Sequence, residues 1–285
     1  MIPFTVRNLK VFFKDRSAVF FSLLSVMIIF ALYALFLGDV WTAGIKDLDN
    51  ARFIMDSWIC AGMLAVTSVT ATMGAFGIMV EDKTRKIYKD FYVSPAKKYE
   101  IMGGYLLSAV LIGIIMTLVT LVLSEIYILA YGGKLLGFSA FMKVLGLVVL
   151  TTLTNTSVLF FLVSFFSSSN AFSTASTIIG TLIGFLTGIY LPVGMLPKAV
   201  QYIVKVFPPS YAASLFRQVI MDAPIQSAFA DIPAEYLVNF QSEMGVTFAF
   251  GDYTVPVWLS IVILIATAIL FYGLAIWNIS RKKKN

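Results

Sequence analysis

The hydrophobic positions of this chain gather into long stretches that carry no charged residue. Asp, Glu, Lys and Arg are absent from five stretches, namely 17–38, 57–80, 101–124, 144–197 and 253–280. A bilayer is crossed by about 20 apolar residues that rise ~1.5 Å each. Four of the stretches therefore fit one helix each, and the longest fits two, with the polar run 167–170 as the turn between them. The pattern predicts an all-α polytopic membrane protein with six transmembrane helices.

The predicted spans form one transmembrane domain over residues 1–285 and lie at about 17–38, 57–80, 101–124, 143–166, 171–191 and 257–279. The composition agrees, because only 13% of the residues are charged, against about 25% in soluble domains. The single cysteine, Cys60, lies within the second span, and the chain has no histidine. The sequence therefore lacks the commonest metal ligand and general base, and we expect no catalytic or metal site.

Basic residues indicate the orientation of the spans. The segments 1–16, 81–100 and 281–284 hold 14 of the 21 Lys and Arg residues. Loop 222–252, on the other side, carries acidic residues and no basic one. Because cytoplasmic loops of membrane proteins are enriched in Lys and Arg, both termini are predicted to be cytoplasmic in a multi-pass protein of the cell membrane. The net charge of +6 follows from this topology and does not indicate nucleic-acid binding.

The first 16 residues resemble a short amphipathic helix. Pro3 suits a first helical position, and Arg7, Lys10 and Lys14 fall on one stripe of that helix. Such a helix lies in the membrane interface with its cations among lipid headgroups. It acts either as an anchor in membrane lipid or as a contact for a cytoplasmic partner.

Loop 81–100 combines aromatic and charged residues at helical spacing. Ile87, Tyr88, Phe91 and Tyr92 recur on one helical face, and most other positions are charged. Pro95 cannot continue a helix. The pattern predicts about three helical turns between the second and third spans, with a docking role for these residues: Glu81, Arg85, Lys86, Tyr88, Lys89, Phe91 and Tyr92.

Prolines dominate the region between the fifth and sixth spans. Seven of the nine prolines fall within 192–256. The stretches 198–207 and 210–221 between them are apolar and periodic but too short to cross about 30 Å of hydrocarbon. We expect two short helices that dip into or lie on the outer leaflet as a lid, bounded by Pro192, Pro197, Pro208 and Pro209, and then an acidic outer loop over 222–256 without clear periodicity.

Small and hydroxyl-bearing residues recur at helical spacing within two spans. The second span places Thr67, Thr70 and Gly74 on one face, and the fifth does so with Thr177, Thr181 and Gly184. Such faces let helices approach closely. Three interpretations stay open: contacts within one subunit, an interface between subunits, or the lining of a substrate pathway.

One acid lies near the end of a span. Counting about 20 residues from Ile101 places Glu125 at the outer interface, which favours a headgroup-level acid over a proton relay. No acid lies within the predicted spans. A proton- or sodium-coupled carrier would thus lack acidic side chains within the spans to bind the coupling ion. We therefore expect the energy source to lie outside this chain.

Two segments resemble the permease subunits of type-2 ATP-binding-cassette exporters, the group that includes daunorubicin-resistance permeases. The first runs from Glu81-Asp82-Lys83 through Ser94-Pro95 to Gly103-Gly104. The second contains Gly188 and Pro192, Leu196-Pro197, Phe207-Pro208-Pro209 and Arg217. The chain has Phe207-Pro208-Pro209 where the family often has Asn-Pro. With the six spans, the resemblance covers nearly the whole chain.

The resemblance implies a dimer of six-span permeases, from two identical or paralogous copies, that binds a separate ABC ATPase. Loop 81–100 would contain the coupling helix. No phosphate-binding Gly-x-x-x-x-Gly-Lys-Ser/Thr loop occurs in the chain, so ATP and magnesium are expected on the partner, with no cofactor in this chain. The resemblance thus implies a transport subunit and not an enzyme.

The substrate is less well defined by the sequence. Apolar walls and the lack of charge within the spans favour export of an amphiphile, such as a drug, a lipid or an antimicrobial peptide, over a polysaccharide. The alternatives are a secondary carrier or channel and a sensory membrane subunit that transports nothing.

Overall fold

The computed structural model describes residues 1–45, 48, 50–93, 97–251 and 253–281, without the side chains at 18, 21, 25, 37, 92, 93, 98 and 279–281. The described residues form thirteen α-helices: α1 Ile2–Lys14, α2 Arg16–Leu32, α3 Gly38–Ala43, α4 Ala51–Thr84, α5 Tyr88–Val93, α6 Lys98–Ala130, α7 Phe138–Val163, α8 Ser169–Leu186, α9 Lys198–Val206, α10 Pro208–Ile220, α11 Asp222–Ala228, α12 Ala234–Glu243 and α13 Val257–Arg281. A π-helical segment Tyr33–Leu37 joins α2 to α3, a 3₁₀ turn spans Val193–Met195, and strands β1 Ala249–Phe250 and β2 Tyr253–Thr254 form an antiparallel hairpin.

Four helices in the described part of the chain are long and apolar enough to cross a membrane: α4, α6, α7 and α13. The protein is thus an all-α membrane protein. The first and fifth predicted spans correspond to α2 with its π-helical continuation and to α8, and neither meets the same length and hydropathy. In α8 the cause is a first half rich in Ser and Thr. The count of six spans stays a prediction.

Helix α4 forms the centre of the bundle, and α6, α7, α8 and α10 all pack against it. Two of its buried hydroxyl side chains bond within the helix, since Thr67 and Thr72 donate to carbonyl oxygens one turn earlier, at 2.8 and 2.6 Å. The amide of Asn155 on α7 donates to the hydroxyl of Ser68 at 2.7 Å. Because an unpaired amide in hydrocarbon costs several kcal/mol, this bond makes the polar centre of α7 compatible with a membrane interior.

The two ends of the bundle differ in composition. The basic end consists of α1, the last turn of α4, α5 and the start of α6. The opposite end consists of the 131–137 connection between α6 and α7 and of the segment from the end of α8 to β2. Helix α4 therefore runs from the opposite end to the basic end, and α8 runs back.

The loop between α4 and α6 differs from its sequence prediction. Helix α4 continues through Thr84, and a turn with Lys86 at φ 62° separates it from α5, which has six residues. A continuous helix of three turns is thus not found, because the left-handed backbone at Lys86 interrupts it. Residues 94–96, including the predicted stop at Pro95, lie outside the described residues.

The segment between α8 and α13 contains more regular structure than its sequence suggests. Helices α9 and α10 occupy the two apolar stretches, and α11, α12 and the β-hairpin occupy the part expected to be a loop. Helices of seven and ten residues are too short to show a clear hydrophobic period. Their placement relative to an outer leaflet stays a prediction.

Candidate coupling surface and transport face

An ion pair joins the amino-terminal helix to the end of α4. Both guanidinium nitrogens of Arg7 donate to the carboxylate of Asp82, over 2.6 and 3.0 Å. Asp82 is only 3% exposed. The two-bond geometry fixes the orientation as well as the distance of the pair. Arg7 therefore docks α1 onto α4, where the sequence suggested a cation among lipid headgroups.

Further polar contacts extend this joint into α6. The Tyr105 hydroxyl donates to Asp82 at 2.6 Å, so the buried carboxylate accepts bonds from two other helices. The amide of Asn8 on α1 donates to the Ser108 hydroxyl at 3.2 Å. The hydrogen bond that Arg7 donates to Asp82 raises the pKa of the Arg7 guanidinium, against the opposing effect of partial burial. Asp82 and Arg7 thus form a locally neutral pair that connects three helices.

Aromatic rings attach α5 to the same joint. The Phe4 ring meets Phe91 of α5 and Tyr105 of α6 edge to face, both with centroids 4.9 Å apart. The Arg7 guanidinium lies 5.5 Å from the centroid of Phe91. Phe91, predicted as a docking residue, therefore faces the permease itself. We define the basic-end joint as Phe4, Arg7, Asp82, Phe91 and Tyr105.

The outward side of the same segment is charged. We define the coupling edge as its exposed ionic residues, Glu81, Arg85, Lys86, Lys89 and Asp90. Glu81 and Arg85 form an exposed ion pair at 2.6 Å one helical turn apart. Tyr88 is half-buried, and Tyr92 lies on α5 with a side chain outside the described set. The predicted docking residues thus divide between an exposed charged edge and an aromatic side.

Helix α4 is exposed along a single stripe. Between residues 54 and 80 its described side chains are buried except at Thr70, Gly74 and Gly77, which we call the α4 stripe. A Cβ at Gly74 would lie 3.7 Å from Phe12 of α1, and one at Gly77 would lie 3.4 Å from Phe172 of α8. The stripe therefore lies between α1 and α8. Thr67, which the sequence placed on the same face as Thr70 and Gly74, is buried instead. Its hydroxyl accepts a bond from Thr120 of α6 at 3.2 Å.

The small residues of α8 also divide into two groups. Thr177 and Thr181 are exposed, and their hydroxyls donate to carbonyl oxygens of their own helix at 3.0 and 2.9 Å. Gly184 is buried, and a Cβ there would overlap the ring of Tyr190. Gly184 thus leaves space for the Tyr190 ring of the same chain and does not face another subunit at this point. We define the α8 face as the exposed residues Thr174, Thr177, Ile178, Thr181, Leu182 and Phe185.

The four predicted lid prolines all lie at or just before helix starts. Pro192 precedes the 3₁₀ turn, Pro197 precedes α9, and Pro208 and Pro209 open α10. Proline suits these positions because its fixed φ is helical and its missing N–H has no partner at a helix start. Pro192 and Pro209 are buried, whereas Pro197 is exposed.

A buried arginine holds the region after α8 together. Arg217 of α10 is 0% exposed and donates to the carbonyl oxygens of Gly188 at 2.8 Å and Gly245 at 3.4 Å. Its guanidinium lies 4.9 Å from the ring centroid of Trp58 on α4. The Trp58 indole in turn donates to the Met244 carbonyl at 2.8 Å. Arg217 therefore ties three separate segments to the centre of the bundle.

Sequence reasoning missed the partners of these groups. Asp82 and Tyr105 were not selected, since an acid in a charged loop and a tyrosine in a span gave no distinctive signal. A second missed cluster joins Arg52, Asp56 and Tyr127 at the opposite end, where Asp56 is buried and accepts from Arg52 at 3.0 Å. The spacing of Arg52 and Asp56, four residues apart, could have suggested that pair.

Glu125 has a specific partner within the chain. Its carboxylate accepts the backbone N–H of Leu136 at 3.1 Å, in the connection between α6 and α7. The sequence assigned this side chain to the headgroup level. That level stays a prediction, and the structure adds a hydrogen bond that holds the connection following α6.

Comparison with known proteins adds a family to this geometry. No curated protein matches the chain. A sequence profile of the ABC-2 family transporter proteins matches residues 42–277, which include α4 to α10, the α4 stripe and the coupling edge. Members of this family are membrane subunits of ABC transporters, a role that implies an ATPase partner and no catalytic centre of their own. The chain belongs to the ABC-2 family of transporters and is a permease subunit.

Proposed function

We propose that this permease is the membrane-spanning subunit of an ATP-driven exporter, moving an amphiphilic substrate out of the cell by alternating access. The observation that carries the proposal is the pairing of an exposed charged edge with a buried joint directly behind it. A partner that binds the coupling edge pushes on α5 and the end of α4. The joint passes this displacement to α1 and α6 through the bonds at Asp82.

The coupling edge suits an ATPase surface for electrostatic reasons. It carries both signs of charge, and complementary charge patterns determine the specificity and rate of association. Its aromatic side is occupied by Phe4 of the same chain. A soluble partner therefore meets the charged residues, while the rings keep α5 attached to the permease.

The α4 stripe and the α8 face support an amphiphilic substrate. Both surfaces are apolar with scattered hydroxyls, and neither contains a charged residue. In the proposed dimer, these surfaces of two copies or paralogues line the pathway at their interface. The segment over α9 and α10 closes the outer end. The basic end with both termini faces the cytoplasm.

Charge reversal at the coupling edge tests the coupling. In the double variant Arg85→Glu/Lys89→Glu, we expect roughly tenfold weaker co-purification with the partner ATPase, because two attractive contacts become repulsive. The matched control is Lys10→Glu/Lys14→Glu, which makes the same change in charge at exposed positions of α1. If both variants weaken co-purification equally, or if neither weakens it, the coupling edge is not the surface that binds the ATPase.

A bulky residue on the α8 face tests the pathway. Thr181→Trp should reduce transport severalfold while assembly with the ATPase and the dimer mass stay unchanged. Val262→Trp places the same ring at an exposed position of α13 and serves as the control. Dissociation of the Thr181→Trp permease in size-exclusion chromatography would instead assign this face to a tightly packed subunit interface.

A further inference from the structure

A cavity of about 290 Å³ lies at the opposite end of the bundle, away from the α4 stripe and the coupling edge. Its walls come from the start of α4, the 131–137 connection, the start of α7 and the turn from α10 to α11. Since α6 ends and α7 begins at this level, the cavity lies where a membrane headgroup layer meets the protein. It shares α10 with the segment that closes the outer end, and its lining includes no residue of the α4 stripe or the α8 face.

The cavity contains a buried polar group without a partner. Ser57 of α4 lines the cavity and is 0% exposed. Its hydroxyl has no hydrogen-bond partner among the described residues. Burial of an unpaired hydroxyl costs about 1–3 kcal/mol. Other hydroxyls further along α4, such as that of Thr67, bond to their own helix. Ser57 is therefore available to a ligand in the cavity.

Glu125 keeps one wall of the cavity in place. Its bond to the N–H of Leu136 fixes the 131–137 connection. Leu136 itself lines the cavity, together with Phe53 and Ile128. The wall is thus preformed, and ligand binding does not have to order the connection.

Two opposite charges stand among the lining residues. Of the described residues that line the cavity, Lys134 and Asp222 carry charge, one on the 131–137 connection and one at the start of α11. One oxygen of Asp222 accepts from Gln226 at 2.9 Å. An anion alone or a cation alone would meet one favourable and one unfavourable charge. A zwitterion meets both favourably.

The rim of the cavity continues into exposed apolar surface. Leu135 is 57% exposed, and Phe138 beside it is 79% exposed. A ligand with its polar head in the cavity can therefore lay hydrocarbon along these side chains. The cavity is at the small end of ligand sites, which span about 300–1,000 Å³, so it fits a head and not a whole lipid.

We propose that this cavity binds the zwitterionic amine–phosphate head of a membrane amphiphile. The phosphate lies at Lys134, the ammonium at Asp222, and the Ser57 hydroxyl donates to an oxygen of the head. The hydrocarbon lies along Leu135 and Phe138. This site requires that the chain spans a membrane, and it is independent of the direction of transport and of the ATPase partner.

Native mass spectrometry of the whole permease in detergent tests the site. Phosphatidylethanolamine is titrated beside phosphatidylglycerol, which has the phosphate without the amine, and water-soluble phosphoethanolamine, which has the head without the chains. We expect phosphatidylethanolamine to bind about tenfold more tightly than phosphatidylglycerol, corresponding to one charge-assisted contact. Equal affinity for the two lipids would overturn the proposal. Tight binding of phosphoethanolamine would show that the head alone suffices.

Single substitutions then locate the binding. Lys134→Gln and Asp222→Asn should each weaken phosphatidylethanolamine binding roughly tenfold, whereas Lys143→Gln and Asp231→Asn, at exposed positions outside the lining, should not. Ser57→Ala should weaken binding several-fold and leave the unliganded permease at least as heat-stable, since the hydroxyl has no partner to lose. Binding that is unchanged in the lining variants, or lost equally in the controls, would place the lipid elsewhere.

Discussion

Two arginines, one at each end of the bundle, hold helices together by different means. Arg7 at the basic end pairs with the carboxylate of Asp82 and keeps a side chain that is 34% exposed. Arg217 at the opposite end is 0% exposed and contacts two backbone carbonyls and the face of Trp58. Among the described ion pairs none involves Arg217.

The electrostatic consequence of this difference appears in their pKa values. The hydrogen bond that Arg7 donates to Asp82 raises the pKa of Arg7, whereas burial alone lowers the pKa of Arg217. Arg7 is partly exposed, so its guanidinium can reach water when the pair opens, while Tyr105 still donates to the buried Asp82 carboxylate. A buried cation held only by dipoles loses its compensation when any contact opens. The basic end is thus suited to movement and the opposite end to rigidity.

The largest effect is expected at Arg217. Arg217→Ala should destabilise the permease by about 3–5 kcal/mol, because it leaves a cavity and removes the donor from the carbonyls of Gly188 and Gly245. Thermal unfolding in detergent measures the loss. Arg217→Met fills most of the volume and removes the buried charge, so it should lose less.

An Arg217→Ala permease that unfolds at the wild-type temperature would contradict the anchoring role. The matched surface variant is Lys198→Ala, at an exposed position on α9, which should change stability within about 0.5 kcal/mol. Rescue by Met but not by Gln would show that volume matters more than hydrogen bonding at this position.

Part of this end could be predicted from the sequence. The clustered prolines indicated short helices after the fifth span, because proline marks helix starts and cannot continue a preceding helix. The role of Arg217 could not be derived from its spacing. Its partners Gly188 and Gly245 are 29 and 28 residues away and bind through backbone oxygens, which leave no signal in side-chain chemistry.

A smaller effect is expected at the basic-end joint. Asp82→Asn keeps the shape of the side chain and removes its charge, so Arg7 and Tyr105 lose a charge-assisted acceptor. We expect a cost of about 1–3 kcal/mol in stability, below that at Arg217, because the partly exposed Arg7 can turn to water. ATP hydrolysis by the assembled transporter should also become less dependent on substrate.

The neighbouring acid provides the control. Glu81→Gln removes the same charge one residue earlier, from an exposed ion pair with Arg85 that contributes about 0–1 kcal/mol. Its stability should therefore be nearly unchanged. Equal destabilisation by the two variants would mean that net charge at this end, and not the buried pair, matters.

The basic end shows a different limit of sequence reasoning. The helical spacing of aromatic residues in 81–92 grouped Tyr88 and Phe91 on one side, and the prediction assigned that side to a partner. In the structure Phe91 contacts the ring of Phe4, which is 87 positions earlier in the chain. Amphipathicity identifies an apolar face, but it does not identify what covers that face.

The smallest effect is expected from the ring contact itself. Phe4→Leu and Phe91→Leu keep apolar volume while they remove the edge-to-face geometry seen at 4.9 Å. A double-mutant cycle on thermal stability should give a coupling energy of about 0.5–1.5 kcal/mol, the range of aromatic pairs. The pair Phe161 and Phe165, at 5.1 Å within one segment, offers a reference cycle away from the joint. If the rings connect α5 to α1, transport coupled to ATP should fall in the Phe4→Leu/Phe91→Leu variant and stay normal in the reference variant. A coupling energy near zero with normal transport would mean that the ring contact does not carry the displacement, which would then pass through the end of α4 and the bonds that Asp82 accepts from Arg7 and Tyr105.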